Sequence, residues 1–135
     1  MPVPPEAVWD ALADPAGYEY WVVGSKLIRD ADPDFPAPGT KFHHTIGFGP
    51  LTLSDHTEVL EAERPRLMRL RAKGRPIGTA EVVLRMTPAD GGTCVEMVEN
   101  PDGPYAPLKF NPLLQVATKL RNAESLMRLE ELALR

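Results

Sequence analysis

His44, Asp55 and Glu99 are the residues of this chain whose types and placement would allow proton chemistry. An imidazole titrates near neutral pH, and a carboxylate beside it fixes its orientation. Such a pair in an enclosed site can orient a ligand hydroxyl or act as a general base. The same pair, satisfied within itself at the mouth of a cavity, performs no chemistry, because ion pairs also form for structural reasons alone. The elements that carry these residues decide where they stand.

Pro4-Pro5-Glu6 precedes Ala7, Val8, Trp9, Ala11 and Leu12, and proline is tolerated in a first turn where its missing N–H would be unpaired anyway. The spacing predicts a short helix over 5–13. Asp14-Pro15 breaks it, and Asp14 is a natural N-cap for a second short helical segment through Tyr18 and Trp21 that ends at Gly24. From Lys26 the pattern changes to strands. Lys26 to Asp30 reads as the first, and Pro33, Pro36 and Pro38 then forbid a ladder before Gly39.

Lys41 to Phe48 alternates Phe42, His44, Ile46 and Phe48 against Lys41, His43, Thr45 and Gly47. Gly49-Pro50 turns the chain into Leu51 to Ala62, where Leu51, Leu53, Asp55, Thr57 and Val59 form one row and Thr52, Ser54, His56, Glu58 and Leu60 the other. Leu67 to Lys73 follows, then Gly74-Arg75-Pro76, then Gly78 to Thr87 with Ala80, Val82, Leu84 and Met86 on one face. Ala89-Asp90-Gly91-Gly92 makes a tight hairpin into Thr93 to Glu99. Beyond a loop containing Pro101, Pro104, Pro107 and Pro112, Leu113 to Arg135 has no Gly or Pro, and Leu113, Ala117, Leu120, Ala123 and Met127 recur at helical spacing.

This order is α+β: two short helices, six strands in meander order, and one long C-terminal helix that covers the sheet. A sheet curled around that helix encloses a cavity, the usual place for a small molecule. The expected lining is Trp21 at the mouth, Phe42, His44, Ile46, Leu53, Asp55 and Thr57 on the central hairpin, Leu70, Val82, Leu84 and Met97 on later strands, and Leu120 on the helix. Because the hairpin turns near Gly49-Pro50, His44 should lie across from Leu53 to Asp55. Glu99 continues the inward row of Val95 and Met97, or else caps the strand end.

Other features read as structural. His43 and His56 fall on the outward row, so period-2 alternation keeps them from joining His44 in a metal site, and none is expected. Arg69, Arg71 and Lys73 share a solvated face without interleaved aromatics, and a net charge of -4 brings no basic tail, so nucleic acid is not an expected partner. Arg121 and Asn122 interrupt the long helix with a polar cluster, which either contacts a ligand headgroup or, more often for such a cluster, is the wet side of the helix. Cys94, alone, forms neither an internal disulfide nor a cysteine zinc site. No apolar run approaches the roughly 20 residues of a membrane span, and Met1-Pro2-Val3-Pro4-Pro5-Glu6 carries no basic leader, so a cytoplasmic protein without membrane insertion is expected. Nucleophile-elbow and phosphate-loop signatures are missing, and no cofactor is expected.

Pro4-Pro5-Glu6-Ala7-Val8-Trp9-Asp10, the Asp14-Pro15 break, the aromatics from Tyr18 to Trp21, Pro38-Gly39-Thr40 and Asp90-Gly91-Gly92-Thr93 resemble the polyketide cyclase/dehydrase and lipid-transport branch of the START-like (SRPBCC) superfamily over essentially the whole chain. The resemblance implies a single helix-grip domain, a curved antiparallel sheet wrapped on a long C-terminal helix. Its motifs are caps, turns and packing residues, and members include lipid carriers, hormone receptors, aromatic polyketide cyclases, coenzyme Q binding proteins and ring hydroxylase subunits, so fold alone selects no activity. The family pattern begins with a strand before the first helix, whereas only Met1-Pro2-Val3 precedes Pro4 here. That strand is reduced to a stub, or the native start lies upstream. A missing edge strand leaves ladder groups unpaired, which makes a homodimer one expectation. The leading functional expectation is a carrier or sequestering protein for an apolar or aromatic small molecule, lipid or polyketide-like. The alternatives are a cyclase or dehydratase using His44 with Asp55 or Glu99, and a protein-interaction module acting through the exposed sheet edge.

Overall fold

The computed structural model describes residues 1–22, 25–48, 51–74, 78–101 and 112–135. Helix α1, Pro5–Ala13, begins on a proline with Glu6 in its first turn, where a carboxylate suits the positive end of the helix dipole. Val8, Trp9 and Leu12 form its buried face. Asp14 stops it, and its Oδ1 accepts a hydrogen bond from Ala16 N at 3.1 Å, capping a single 3-10 turn, Pro15–Gly17. Helix α2, Tyr18–Trp21, follows directly and buries both of those aromatics. Gly24, the expected end of that segment, lies outside the described residues.

The strands are β1 Ser25–Ala31, β2 Lys41–Phe48, β3 Leu51–Glu63, β4 Leu67–Gly74, β5 Gly78–Ala89 and β6 Gly92–Pro101. They pair antiparallel in the order β1-β2-β3-β4-β5-β6, the expected meander. Period-2 alternation works as read: Phe42 faces Thr57, Val59 faces Leu70, Leu70 faces Val82, and Leu84 faces both Met68 and Met97. An irregularity between Val59 and Glu61 shifts β3 by one residue, so Ala62, and not Glu61, comes opposite Met68. Between β5 and β6 the turn is Asp90-Gly91, in which Gly91 alone takes a positive φ, 79°.

The core lies on the inner face of this sheet. Val8, Leu12, Tyr18, Trp21, Phe42, Val59, Met68, Leu70, Leu84, Met86 and Leu129 are all buried there. Each fully buried aliphatic or aromatic side chain contributes about 1.5–3 kcal/mol of transfer free energy, set against the entropy of ordering the chain. The long helix α3, Pro112–Ala133, closes the domain, but by its C-terminal half. Ser125, Leu129 and Ala133 are buried, whereas no described side chain from 112 to 124 is.

The expected inward stripe of α3 is therefore corrected. Leu113, Leu120 and Met127 are 81%, 69% and 61% exposed, and Ala117 and Ala123 share their face. At 100° per residue the buried residues 125, 129 and 133, with the half-buried 118 and 122, lie half a turn from that stripe. Both faces of α3 are apolar in places, and α1 and α2 select which is covered. Arg128 donates to Tyr20 O at 3.3 Å, Tyr20 donates to Glu131, and Leu132 packs near Gly17.

Residues Met1 to Val3 lie against the start of β6. Met1 and Thr93 exchange two backbone hydrogen bonds, ammonium to carbonyl at 2.9 Å and amide to carbonyl at 2.8 Å, and Thr93 Oγ1 donates to Val3 O at 2.7 Å. Gly92 permits this approach, since a Cβ there would come within 2.0 Å of Met1 O.

Candidate functional site

Thr57 and Phe42 stand opposite each other on the inner row, both buried, and the next pair in register along the same row is His44 with Asp55, followed by Ile46 with Leu53. The side chains of these last four residues lie outside the described ones. What the backbone establishes is their pairing and their parity with Phe42. His43, of opposite parity, pairs with His56, and their rings meet edge-on at 6.0 Å on the outer row.

The other expected lining residues fall into three groups. Leu70, Val82 and Leu84 are inner-row core residues at 3%, 9% and 0% exposure. Met97 is partly buried against the same core. Trp21 is a core residue and does not stand at a rim. It is 1% exposed, with its ring 4.9 Å from Tyr18, and its Nε1 has no hydrogen-bond partner among the described residues. A buried N–H left unpaired costs about 1–3 kcal/mol, so this donor is open to any acceptor placed against it. Leu120, expected to line the cavity, points away from the sheet for the reason given above.

Glu99 is opposite Val82 on β6, continuing the inner row from Val95 and Met97. Its carboxylate is ion-paired with Arg121 of α3, whose guanidinium also lies 3.5 Å from Asn122 Oδ1. The Glu99 side chain is 16% exposed and that of Arg121 41%. Glu99 is thus an inward residue held by the helix, and Arg121, exposed as expected of the wet side, reaches it from the solvent edge. Helical spacing alone could not reveal this, because the deciding contact joins residues 22 apart. One cue was present: an acid at the end of an apolar inward row requires a partner.

Tyr18 packs in the core. Its hydroxyl donates to Leu12 O at 2.8 Å, with Met68 Sδ 3.6 Å away. Burial, reinforced by the charge of Asp14, pushes the phenol well above its usual range, so it stays protonated. With its hydrogen spent on a backbone carbonyl, Tyr18 is a structural donor. Phe35, from the proline-rich loop, completes the aromatic cluster at 5.3 Å from Phe42 and 5.9 Å from Tyr18. A loop phenylalanine between prolines gave no periodic signal to place it there.

The outer face is polar. Arg69 lies 3.0 Å from both Glu61 and Glu81, whose hydrogen bonds raise its pKa further. That neutralises Arg69 within the short basic run. Two shallow clefts lie away from the inner row, one between Met1-Pro2 and the 89–94 turn, the other between α1 and the C-terminal turns of α3. Among the described residues, Glu99 lines neither. Among the described residues no group of three His, Cys, Asp or Glu side chains could hold a metal ion, and no described helix is long and apolar enough to cross a membrane.

A sheet with an apolar inner row, interrupted by two polar pairs and grasped by one end of a long helix, has clear relatives. Residues 1–133 match the model of the polyketide cyclase/dehydrase and lipid transport family. The chain belongs to that family. Its fold is the START-like helix grip of the SRPBCC superfamily. This family member is similar to the crystal structure of Ara h 8.0201 at 16% identity and a TM-score of 0.77, with 99% of this chain and 92% of that one covered. It is similar to protein NE0264 from Nitrosomonas europaea at 19% identity and a TM-score of 0.70, covering 98% and 88% of the two chains. A third likeness is to protein MLL2253 from Mesorhizobium loti, at 23% identity and a TM-score of 0.68, covering 98% and 90%. At these identities the solved structures establish the fold alone. No curated protein matches the chain.

Proposed function

We propose that this family member binds an apolar or aromatic small molecule, lipid or polyketide-like, between the inner face of the sheet and the N-terminal half of α3, as a carrier or sequestering protein. The observation that carries the reading is the half-seated helix. From 125 onward α3 packs on the core, whereas from 112 to 124 no described side chain is buried. Met97 and Glu99 on the facing strand are only partly covered. Apolar surface left uncovered between two elements of one domain is what a ligand of matching character would bury, at about 25 cal/mol per Å2. The Glu99–Arg121 pair favours a molecule that carries oxygen functions as well as apolar surface.

Native mass spectrometry of the protein purified from its own host, followed by denaturation and extraction, tests this. A stoichiometric apolar or aromatic compound is the expected result. A clean apo protein that also fails to bind a broad panel of lipids and polyketides would sink the proposal.

The second reading, acid–base catalysis of a cyclisation or dehydration, is favoured by one observation: His44 and Asp55 are direct cross-strand partners on the inner row. Paired side chains at such positions stand within reach of one another. His44→Ala separates the readings. A carrier changes affinity only, whereas an enzyme loses turnover of the extracted compound while still binding it.

A further inference from the structure

Of the seven large apolar side chains exposed among the described residues, five lie on α3 or just after it: Leu113, Val116, Leu120, Met127 and Leu134. Their spacing is that of a heptad. Leu113, Leu120, Met127 and Leu134 take the first position of successive heptads, and Val116 and Ala123 take the fourth. A straight helix drifts only about 20° per heptad against that repeat, so the row stays on one side of α3. The opposite side is committed to the core through Ser125, Leu129 and Ala133. Glu130 holds the fourth position of the next heptad and ends the apolar run, which leaves a seam from Leu113 to Met127. A contiguous exposed apolar row of this kind marks an interaction surface.

We propose that two copies of this chain associate through this row, their α3 helices side by side, parallel and in register, as a short two-stranded coiled coil. A heptad row is complementary to itself, because each side chain inserts between four of the same row on the facing helix. The flanking charges set the direction. Lys119 holds the seventh position of one heptad and Glu124 the fifth of the next, both exposed, on opposite flanks of the row. In a parallel pair those two positions meet, so Lys119 faces Glu124 of the second copy, twice by symmetry. An antiparallel pair brings like flanks together and keeps Lys119 and Glu124 apart. Arg128 contacts one oxygen of the Glu124 carboxylate, which has a second to offer. A membrane surface suits the row less well, since the chain carries a net charge of -4 and acids as well as bases border the seam. The seated half of α3 already holds the helix folded, so association does not bear the cost of nucleating one. So short a seam lies at the small end of specific interfaces, which begin near about 1,200 Å2, and the dimer is a weak, reversible one. It leaves free the sheet-facing side of α3, where Thr118 and Asn122 are half-buried.

The test is the mass of the full chain by sedimentation equilibrium from micromolar to near-millimolar concentration, with flotation on phosphatidylcholine vesicles beside it. A concentration-dependent dimer that stays off the vesicles is expected. Leu120→Glu, which sets two carboxylates inside the seam, should weaken it about a hundredfold. Lys119→Glu should weaken it about tenfold, and adding Glu124→Lys to that variant should restore it, since the swap remakes both pairs at unchanged net charge. Glu130→Leu should tighten it about tenfold, because in register Glu130 faces its own copy, and a gain of this kind does not come from damaged folding. All four changes lie off the buried face of α3, and circular dichroism checks that each variant folds. A monomer throughout the range, a dimer indifferent to Leu120→Glu, a charge swap that fails to restore it, or a chain that floats with the vesicles would each overturn the proposal. None of these readings depends on a ligand, so the outcome is independent of the binding function above.

Discussion

Tyr18 shows how one buried hydroxyl links local sequence to stability. It is 2% exposed, holds the Leu12 carbonyl at 2.8 Å just before the chain breaks at Asp14, and touches three other aromatic rings. Tyr18→Phe keeps the ring packing and strands a buried carbonyl, so a loss of about 1–2 kcal/mol is expected in urea unfolding. The same residue sets an alkaline limit. Its folded-state pKa is raised above the ordinary value of 10.0, so the folded form holds the proton more tightly than the unfolded one. That contribution is fully present below about pH 10 and is lost progressively above it, at up to about 1.4 kcal/mol per pH unit. Stability should thus fall above pH 10 in the wild type and less steeply in Tyr18→Phe. Equal slopes would show that Tyr18 does not titrate on unfolding.

Between elements, the contacts that matter join distant parts of the chain. Met1 to Val3 sits on β6 only because Gly92 has no side chain. Gly92→Ala should therefore expel the stub without breaking the hairpin, costing about 1–3 kcal/mol and exposing the Thr93 amide to hydrogen exchange. Unchanged protection at Thr93 would mean that the stub is not held there. The Glu99–Arg121 pair ties the loosely seated half of α3 to the inner row across the gap a ligand would occupy. Its half-exposed guanidinium makes it a weak tie in energy, and a weak tie is compatible with entry and exit of cargo.

For the molecule as a whole, a ligand that binds the folded state alone adds RT ln(1 + [L]/Kd) to its stability, about 2.7 kcal/mol at a hundredfold excess over Kd. The compound extracted from the native protein should raise the thermal midpoint by several degrees when added back to the delipidated chain. An unchanged midpoint at saturating concentration would mean that it is a surface contaminant. Family membership and fold suggest a ligand-binding or polyketide cyclase/dehydrase-like protein.

Strand boundaries, strand order and the parity of nearly every inner-row residue were legible before any coordinates. These features depend on proline, glycine and period-2 alternation, which act within a few residues of where they are written. The placement of His44 across from Leu53 to Asp55 followed from the same logic, and the structure pairs it with Asp55. Three things were decided only in the tertiary structure. Leu113, Leu120 and Met127 make as good an apolar stripe as the face that is buried, and α1 and α2 choose between them. Arg121, exposed on α3, pairs with Glu99 at a separation of 22 residues, which helical spacing alone does not show. Trp21 moved from a rim into the core because Tyr18 and α3 close over it. Local pattern determines which side chains can share a face, but which face is covered depends on what other elements bring against it.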